Sequence, residues 1–239
     1  MKAMIFAAGL GTRLKPWTDF HPKALAIVNG KSLLQRNIEY LQLHGIYDVI
    51  VNVHHFAEQI ITAIESSSGW GSKIEISDES DEVLETGGGL LKAGWYFSGE
   101  ESFVVMNADV LTDMNLSDMI RFHKEQGGIA TLATSDRTTS RYFLFNNLQV
   151  LCGWENVQTG ARKMARMETT TIRKAFSGIH LISTGLFDLV KQTGKFSMVD
   201  VYLALAAGQD IYSYDHSGSR FLDVGKPESI NEAGILFPE

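Results

Sequence analysis

The amino-acid sequence predicts an α/β protein built on a doubly wound, mostly parallel sheet. Three observations carry this. The apolar runs Ala3–Ala8, Tyr47–Val53 and Ser102–Met106 have the near-continuous hydrophobicity of strands buried on both faces. Amphipathic segments with helical spacing stand between them, and such alternation places a sheet between two helical layers. From Arg137 to Arg173 the rhythm changes to short strands and polar turns, which predicts an antiparallel insertion or lid within a single domain spanning 1–239.

Taken in order, the first strand stops abruptly at Gly9 and Gly11. Leu33, Leu34, Ile38 and Leu41 then mark a helix over Ser32–His44, which Gly45 ends. A strand over Tyr47–Val53 and a helix over Phe56–Ser66 follow, then a short alternating strand over Lys73–Ser77. The acidic stretch Asp78–Glu85 leads into Thr86-Gly87-Gly88-Gly89, expected as a turn, and a helix over Leu90–Trp95. After the strand Ser102–Met106 come a helix at Ser117–Gln126 and a strand at Ile129–Thr134. Beyond the insertion, strands are expected at Phe176–Ile182, Ile211–Tyr214 and Phe221–Val224. Helices are expected at Leu186–Gln192, Val199–Ala207 and from Pro227 onward.

Composition narrows the partners. The net charge is −7, which argues against nucleic acid, whose binders present a basic face. The cations are unevenly spread. Residues 1–37 hold six of the 21 Lys and Arg, with Asp19 the lone acid among them. Cations gathered beside a glycine turn in an acidic chain suit a small polyanion. Cys152 is the only cysteine, so no intramolecular disulfide forms, and a reducing compartment is expected. The apolar start resembles a signal peptide only until Gly9, Gly11, Arg13 and Lys15 interrupt it, so a cytoplasmic location is expected. No apolar run reaches the ~18 residues of a membrane span, and no membrane partner is expected.

The first strand and its turn carry the chemistry. Gly9 and Gly11 permit positive φ and let backbone amides approach a ligand, and Arg13, Lys15 and Lys23 follow within reach. Such a loop is one way to hold phosphates; the alternative is a tight turn of an α/β protein with surface cations. It is not a dinucleotide fingerprint, because Leu14 stands at the third glycine position and Pro16 opposes an immediate long helix. Gly30-Lys31-Ser32 imitates the end of a P-loop, but Leu25 occupies the position of the earlier glycine.

Asp109 and Asp223 each lie at the end of a strand, where open α/β sheets bind ligands. Two carboxylates beside a triphosphate loop suit Mg²⁺, while the spacing equally suits a turn and a helix cap. Glu85 to Gly89 reads either as a cradle for a flat ring or as a flexible turn. His54 and His55, adjacent in an extended segment, point to opposite faces and do not chelate one ion. No zinc spacing and no serine-nucleophile elbow appear. Asp78, Glu79, Asp81 and Glu82 read first as a solvated acidic loop and otherwise as a contact to substrate.

The pattern A-A-G-L-G-T-R-L at Ala7–Leu14, with Pro22-Lys23 about ten residues on, resembles the signature of the sugar-1-phosphate nucleotidyltransferases. Asn107-Ala108-Asp109 and Asp223-Val224-Gly225-Lys226-Pro227-Glu228 resemble that family's two metal-binding segments, with Phe221 where the family usually has Trp. Glu85-Thr86-Gly87-Gly88-Gly89 resembles its nucleobase segment. Phe176-Ser177-Gly178-Ile179 resembles a segment near the sugar, and Trp154-Glu155-Asn156 matches more weakly; both also read as strand core with a bulge at Gly178. The resemblance runs in order from Ala3 to Glu228. It is closest to the N-acetylmuramate-1-phosphate uridylyltransferases and the single-domain mannose-1-phosphate guanylyltransferase-like proteins. The chain ends soon after Asp223, and the β-helical acyltransferase domain of some relatives is not expected.

The resemblance implies a Rossmann-like, nucleotide-diphospho-sugar transferase fold. It also implies a reaction of NTP with sugar 1-phosphate, giving NDP-sugar and pyrophosphate for cell-wall or polysaccharide synthesis. Arg13 and Lys23 are then the catalytic cations, and Asp109 and Asp223 hold Mg²⁺. Ala8, Gly9, Gly11, Thr12, Asn107, Glu85, Thr86 and Gly88 contact the nucleotide, and Glu155 and Gly178 the sugar. UTP with N-acetylmuramate 1-phosphate is preferred, GTP with mannose 1-phosphate next. The rival readings are a non-catalytic NDP-sugar-binding regulator, an NAD-dependent oxidoreductase and a cytidylyltransferase acting on a phospho-alcohol.

Overall fold

A computed structural model describes residues 1–238. The chain opens with β1 (Lys2–Phe6) and a loop of three single-turn 3-10 helices at Thr12–Leu14, Trp17–Asp19 and Lys23–Leu25. The small hairpin β2 (Ile27–Val28) and β3 (Lys31–Ser32) delivers the chain to α1 (Leu33–Leu43). There follow β4 (Asp48–Val53), α2 (Ala57–Ser66), β5 (Lys73–Asp78), α3 (Glu85–Lys92), β6 (Ser102–Asn107), β7 (Val110–Thr112) and α4 (Leu116–Gln126). Then come β8 (Ala130–Ser135), β9 (Arg141–Phe145), β10 (Leu151–Asn156), β11 (Ala161–Met164) and the long β12 (Ile172–Ser183). The remainder is α5 (Leu186–Leu189), α6 (Met198–Leu205), β13 (Ile211–Asp215), β14 (Phe221–Asp223) and α7 (Pro227–Leu236).

Local chemistry sets the helix starts. The Ser32 hydroxyl accepts from the Gln35 amide (3.1 Å) at α1, and Ser197 accepts from the Asp200 amide (3.2 Å) at α6. Asn115 caps α4 in the same way, and Gly127, at φ 67°, ends it.

Ten strands form one twisted sheet in the order β11-β10-β9-β12-β6-β1-β4-β5, with β8 beside β12 and β13 beside β8. β6, β1, β4 and β5 run parallel, whereas β12 runs antiparallel to β6 and β8. The strand alternation divides the core. Ile5, Val49, Val51, Val104 and Met106 face the layer that includes α1 and α2, while Met4, Ile50, Phe103 and Val105 face the layer that includes Tyr96, Phe97 and Tyr202. The expected α/β fold with a mostly parallel sheet is therefore present.

Two elements differ from expectation. Thr86–Gly89 is the first half of α3 rather than a turn. The Gly87 amide donates to the Phe196 carbonyl (2.9 Å) and the Met198 amide to Thr86 Oγ1 (2.9 Å), so a segment more than a hundred residues away holds the glycines in helix. That contact overrides a helix penalty of about 1 kcal/mol per glycine. The helix expected to reach Gln192 stops at Leu189, because Val190 turns extended and packs on the core. The short strands of 137–173 are antiparallel, as expected, and they join the main sheet: Ile172–Lys174 of β12 pair with β9, and Ile179–Ser183 of the same strand pair with β6.

Candidate active site at the carboxyl edge of the sheet

The parallel strands β1, β4, β5 and β6 end on one edge, and the loop after β1 folds over it. Two constraints require glycine at position 11. Its φ is +60°, and a methyl group there would lie 2.9 Å from both Lys23 Cβ and Thr18 Cγ2. The Gly11 carbonyl accepts from the Leu14 amide (2.8 Å) and the Thr18 hydroxyl (3.0 Å). The glycine therefore lets the loop close tightly over Lys23. Nothing lies within 4 Å of the space a side chain at Gly9 would take, so that backbone is open to a ligand.

Lys23 joins the two aspartates. Its Nζ hydrogen-bonds Asp109 Oδ2 and lies 3.9 Å from Asp223 Oδ1. Arg13, largely exposed, brings its guanidinium 3.9 Å from Asp223 Oδ2. β7 and β14 pair antiparallel with Asp223 opposite Val110, and the Val224 amide donates to the Asp109 carbonyl (2.8 Å). This ladder holds the two carboxylates together. Burial, then the charge of Asp109, pushes the Asp223 carboxyl above its ordinary range, against the pull of Lys23, Arg13 and Arg137.

A cavity of about 420 Å³ opens beside this cluster. Of the residues expected at the site, Ala8, Gly9, Lys23, Glu85, Thr86, Asn107 and Asp109 line it, while Gly11, Thr12, Arg13 and Asp223 lie outside its wall. Gly88 does not face it. A methyl group at Gly88 would lie 2.2 Å from the Gly194 carbonyl oxygen, so its glycine is required by protein packing. Gly178, at φ +73°, abuts Asn107, with 2.7 Å from its would-be methyl to Asn107 Nδ2. Glu155 is buried on β10 and bound to Arg173 Nε, away from the cavity wall.

Two wall residues escaped the sequence reading. Asn52 Oδ1 accepts the Ala7 amide (2.7 Å), and its Nδ2 donates to Glu79 Oε1 (2.7 Å). Glu79 Oε2 accepts the Leu84 amide (3.3 Å), so this tie runs from the end of β1 to the start of α3. Glu79 is 1% exposed, not solvated as expected, and burial raises its pKa. One carboxylate among four neighbouring acids offered no sequence contrast; the available signal was Asn52, a polar residue closing an apolar strand. His54 and His55 do not converge on an ion: His54 Nδ1 bonds the Glu79 carbonyl (2.7 Å), and the His55 ring packs on Phe56. Among the described residues no three His, Cys, Asp or Glu side chains gather to hold a metal.

The site thus pairs a glycine loop and its cations with two facing carboxylates, the equipment of an α/β protein that handles phosphate esters. The chain belongs to the nucleotidyl transferase family, whose model matches residues 2–144. It is 28% identical over 240 residues to a mannose-1-phosphate guanyltransferase of Yarrowia lipolytica, covering 99% of this chain and 64% of the relative. It is 36% identical over 143 residues to a UTP–glucose-1-phosphate uridylyltransferase of Synechocystis, covering 56% of this chain and 37% of the relative. The chain thus spans less than two thirds of the length of these curated relatives. Among solved structures, HddC from Yersinia pseudotuberculosis complexed with GMP-PN superposes with a TM-score of 0.80 at 22% identity, covering 99% of each chain. The inositol-1-phosphate CTP transferase from T. maritima gives 0.77 at 14% identity, covering 98% of this chain and 94% of that one. These two likenesses show the fold.

Proposed function

We propose that the chain transfers a nucleotidyl group from an NTP to a sugar 1-phosphate, giving an NDP-sugar and pyrophosphate. The observation that carries this is Lys23, held between Asp109 and Asp223 at the cavity that also reaches Gly9, Glu85 and Thr86. The two carboxylates fit Mg²⁺. They face each other, burial and mutual repulsion raise Asp223, and a hard cation takes one or two carboxylates plus phosphate oxygens. Asp109 and Asp223 would hold Mg²⁺, which would supply charge neutralisation on phosphoryl oxygens.

The chain's own residues do the rest. An oxygen of the sugar phosphate attacks the α-phosphorus; the bond to the bridging oxygen breaks, and pyrophosphate leaves with its electron pair. The phosphate dianion is already nucleophilic, so no general base is needed, and positioning and charge dominate. Lys23 bridges the α-phosphate and the entering phosphate. Arg13 neutralises the departing pyrophosphate, with the amides of Gly9, Gly11 and Thr12. Ala8, Glu85, Thr86 and Asn107 hold the nucleoside; Gly178 lets β12 approach Asn107 on the sugar side. Glu155 enters this reading only through its sequence match, since Arg173 occupies its carboxylate.

UTP with N-acetylmuramate 1-phosphate is the first pair to test, and GTP with mannose 1-phosphate the second. The Synechocystis relative supports uridine, and the Yarrowia relative supports guanosine. The product would feed cell-wall or polysaccharide synthesis in the cytoplasm; among the described residues no helix is long and apolar enough to cross a membrane. The test is pyrophosphate release with Mg²⁺, crossing five NTPs with a panel of sugar 1-phosphates. Release that requires one NTP and one sugar phosphate together supports the reading. Silence across the panel, with NDP-sugars still binding, refutes catalysis and leaves a regulator.

A further inference from the structure

We infer that Arg137 binds the phosphate of the second substrate, an inference that rests on the proposed transfer. Arg137 lies two residues past Ser135, where β8 ends, and its guanidinium is fixed at two points. Nη2 donates to the Phe176 carbonyl (2.6 Å), and the cation lies 5.0 Å from the centre of the Phe221 ring. Beyond that it is uncommitted. Nε is buried without an acceptor among the described residues, and Nη1 has none either.

Other arginines of this protein that are packed near acids meet a carboxylate directly: Arg166 with Asp210 at 2.8 Å and Arg220 with Asp113 at 2.7 Å. Arg137 has no such partner within ion-pair distance among the described residues, although the Asp223 charge acts on it. A desolvated cation lacking a direct anion is costly, and a ligand phosphate meeting the free Nη1 would neutralise it.

Topology says which phosphate. Neighbouring strands run β1, β6, β12, β8, and β8 is antiparallel to β12 as β12 is to β6. The ends of β1, β6 and β8 therefore lie on the same edge of the sheet. Arg13 follows β1, Asp109 follows β6, and Arg137 follows β8, so the strands that carry the two arginines flank the strand that carries Asp109, with Arg137 outside the cavity wall. In-line displacement needs entering and leaving groups on opposite sides of the α-phosphorus. With Arg13 on the leaving pyrophosphate, Arg137 faces the entering phosphate. Its anchor, Phe176, stands two residues before Gly178, which abuts Asn107 of the cavity wall.

The test compares Arg137→Ala and Arg137→Lys with the parent protein, using the active NTP and sugar phosphate pair. Losing charge-assisted hydrogen bonds to a phosphate should raise KM for the sugar phosphate about ten- to a hundredfold in Arg137→Ala. KM for the NTP should stay within about twofold, and Arg137→Lys and added guanidinium salt should each restore part of the loss. A merely structural role, in holding Phe176, would move both KM values together and lower thermal stability; that result, or an unchanged sugar-phosphate KM, overturns the inference. If the parent protein is silent, the transfer reading fails by itself. Calorimetric binding of mannose 1-phosphate to the parent and Arg137→Ala proteins then decides: loss in the variant supports the phosphate site, and equal affinity overturns it.

Discussion

Replacing Lys23 by alanine perturbs the centre of the cluster most directly. The ammonium is mostly buried at 14% exposure, hydrogen-bonds Asp109 and lies 3.9 Å from Asp223. Its removal leaves the two carboxylates with the exposed Arg13 at 3.9 Å from Asp223 and the more distant charge of Arg137. In the transition state the variant loses a donor aimed at developing charge in a sheltered cavity, which is worth roughly 10²- to 10³-fold in turnover. In the resting protein the lost pair and the unrelieved repulsion cost about 1–2 kcal/mol, since the pair is only partly buried. For a domain of this size that lowers Tm by roughly 2–8 °C. Stopped pyrophosphate assays and thermal denaturation read the two effects separately. The double variant Lys23→Ala, Asp109→Asn removes the repulsion as well, so it should regain Tm without regaining turnover. Turnover of Lys23→Ala near that of the parent protein would refute the role given to this lysine.

Two further outcomes follow from packing and burial. Gly88→Ala should destabilise the fold by about 1–3 kcal/mol, because its methyl meets the Gly194 backbone oxygen at 2.2 Å; an unchanged Tm would show that the space is free for a base. Burial holds His123 down to about 4 and His180 to about 3, so both are neutral in the fold while the unfolded chain takes up protons near 6.5. Folding stability should therefore fall as pH drops below about 6.5, each histidine adding about 1.4 kcal/mol per pH unit. Urea denaturation of His123→Gln should show a shallower loss between pH 6 and 5, and identical slopes would refute the assignment.

What could be read from the sequence was mainly local. β1, Gly9, Gly11 and Lys23 are close along the chain, and their apolar run, glycines and cations declare strand, loop and charge together. Asp109 and Asp223 are far apart, but each sits at the end of an apolar strand, so both positions were visible, and the family resemblance was what joined them. The misread parts depend on distant contacts. Gly87 and Gly88 looked like a turn because nothing near them reveals that Phe196 and Gly194 press against them. Glu79 looked solvated because its burial depends on Asn52 and on the space left by Gly89, where a methyl would lie 2.5 Å from its carboxylate. The Arg137 side chain acquires meaning only once β8 is placed three strands from β1.

The continuity of β12 bears on how such a chain can change over generations. One strand belongs to both the outer hairpins and the central sheet, with the irregularity at Gly178 between its two halves. A residue added between Phe176 and His180 would shift register and turn inward-facing side chains outward along the whole run. The turns at Asn146–Gln149 and Val157–Gly160 are different: largely exposed and bounded by their own short pairings, they can lengthen without disturbing that register. Length variation among descendants should therefore collect at these two tips, while the stretch through Gly178 keeps its residue count.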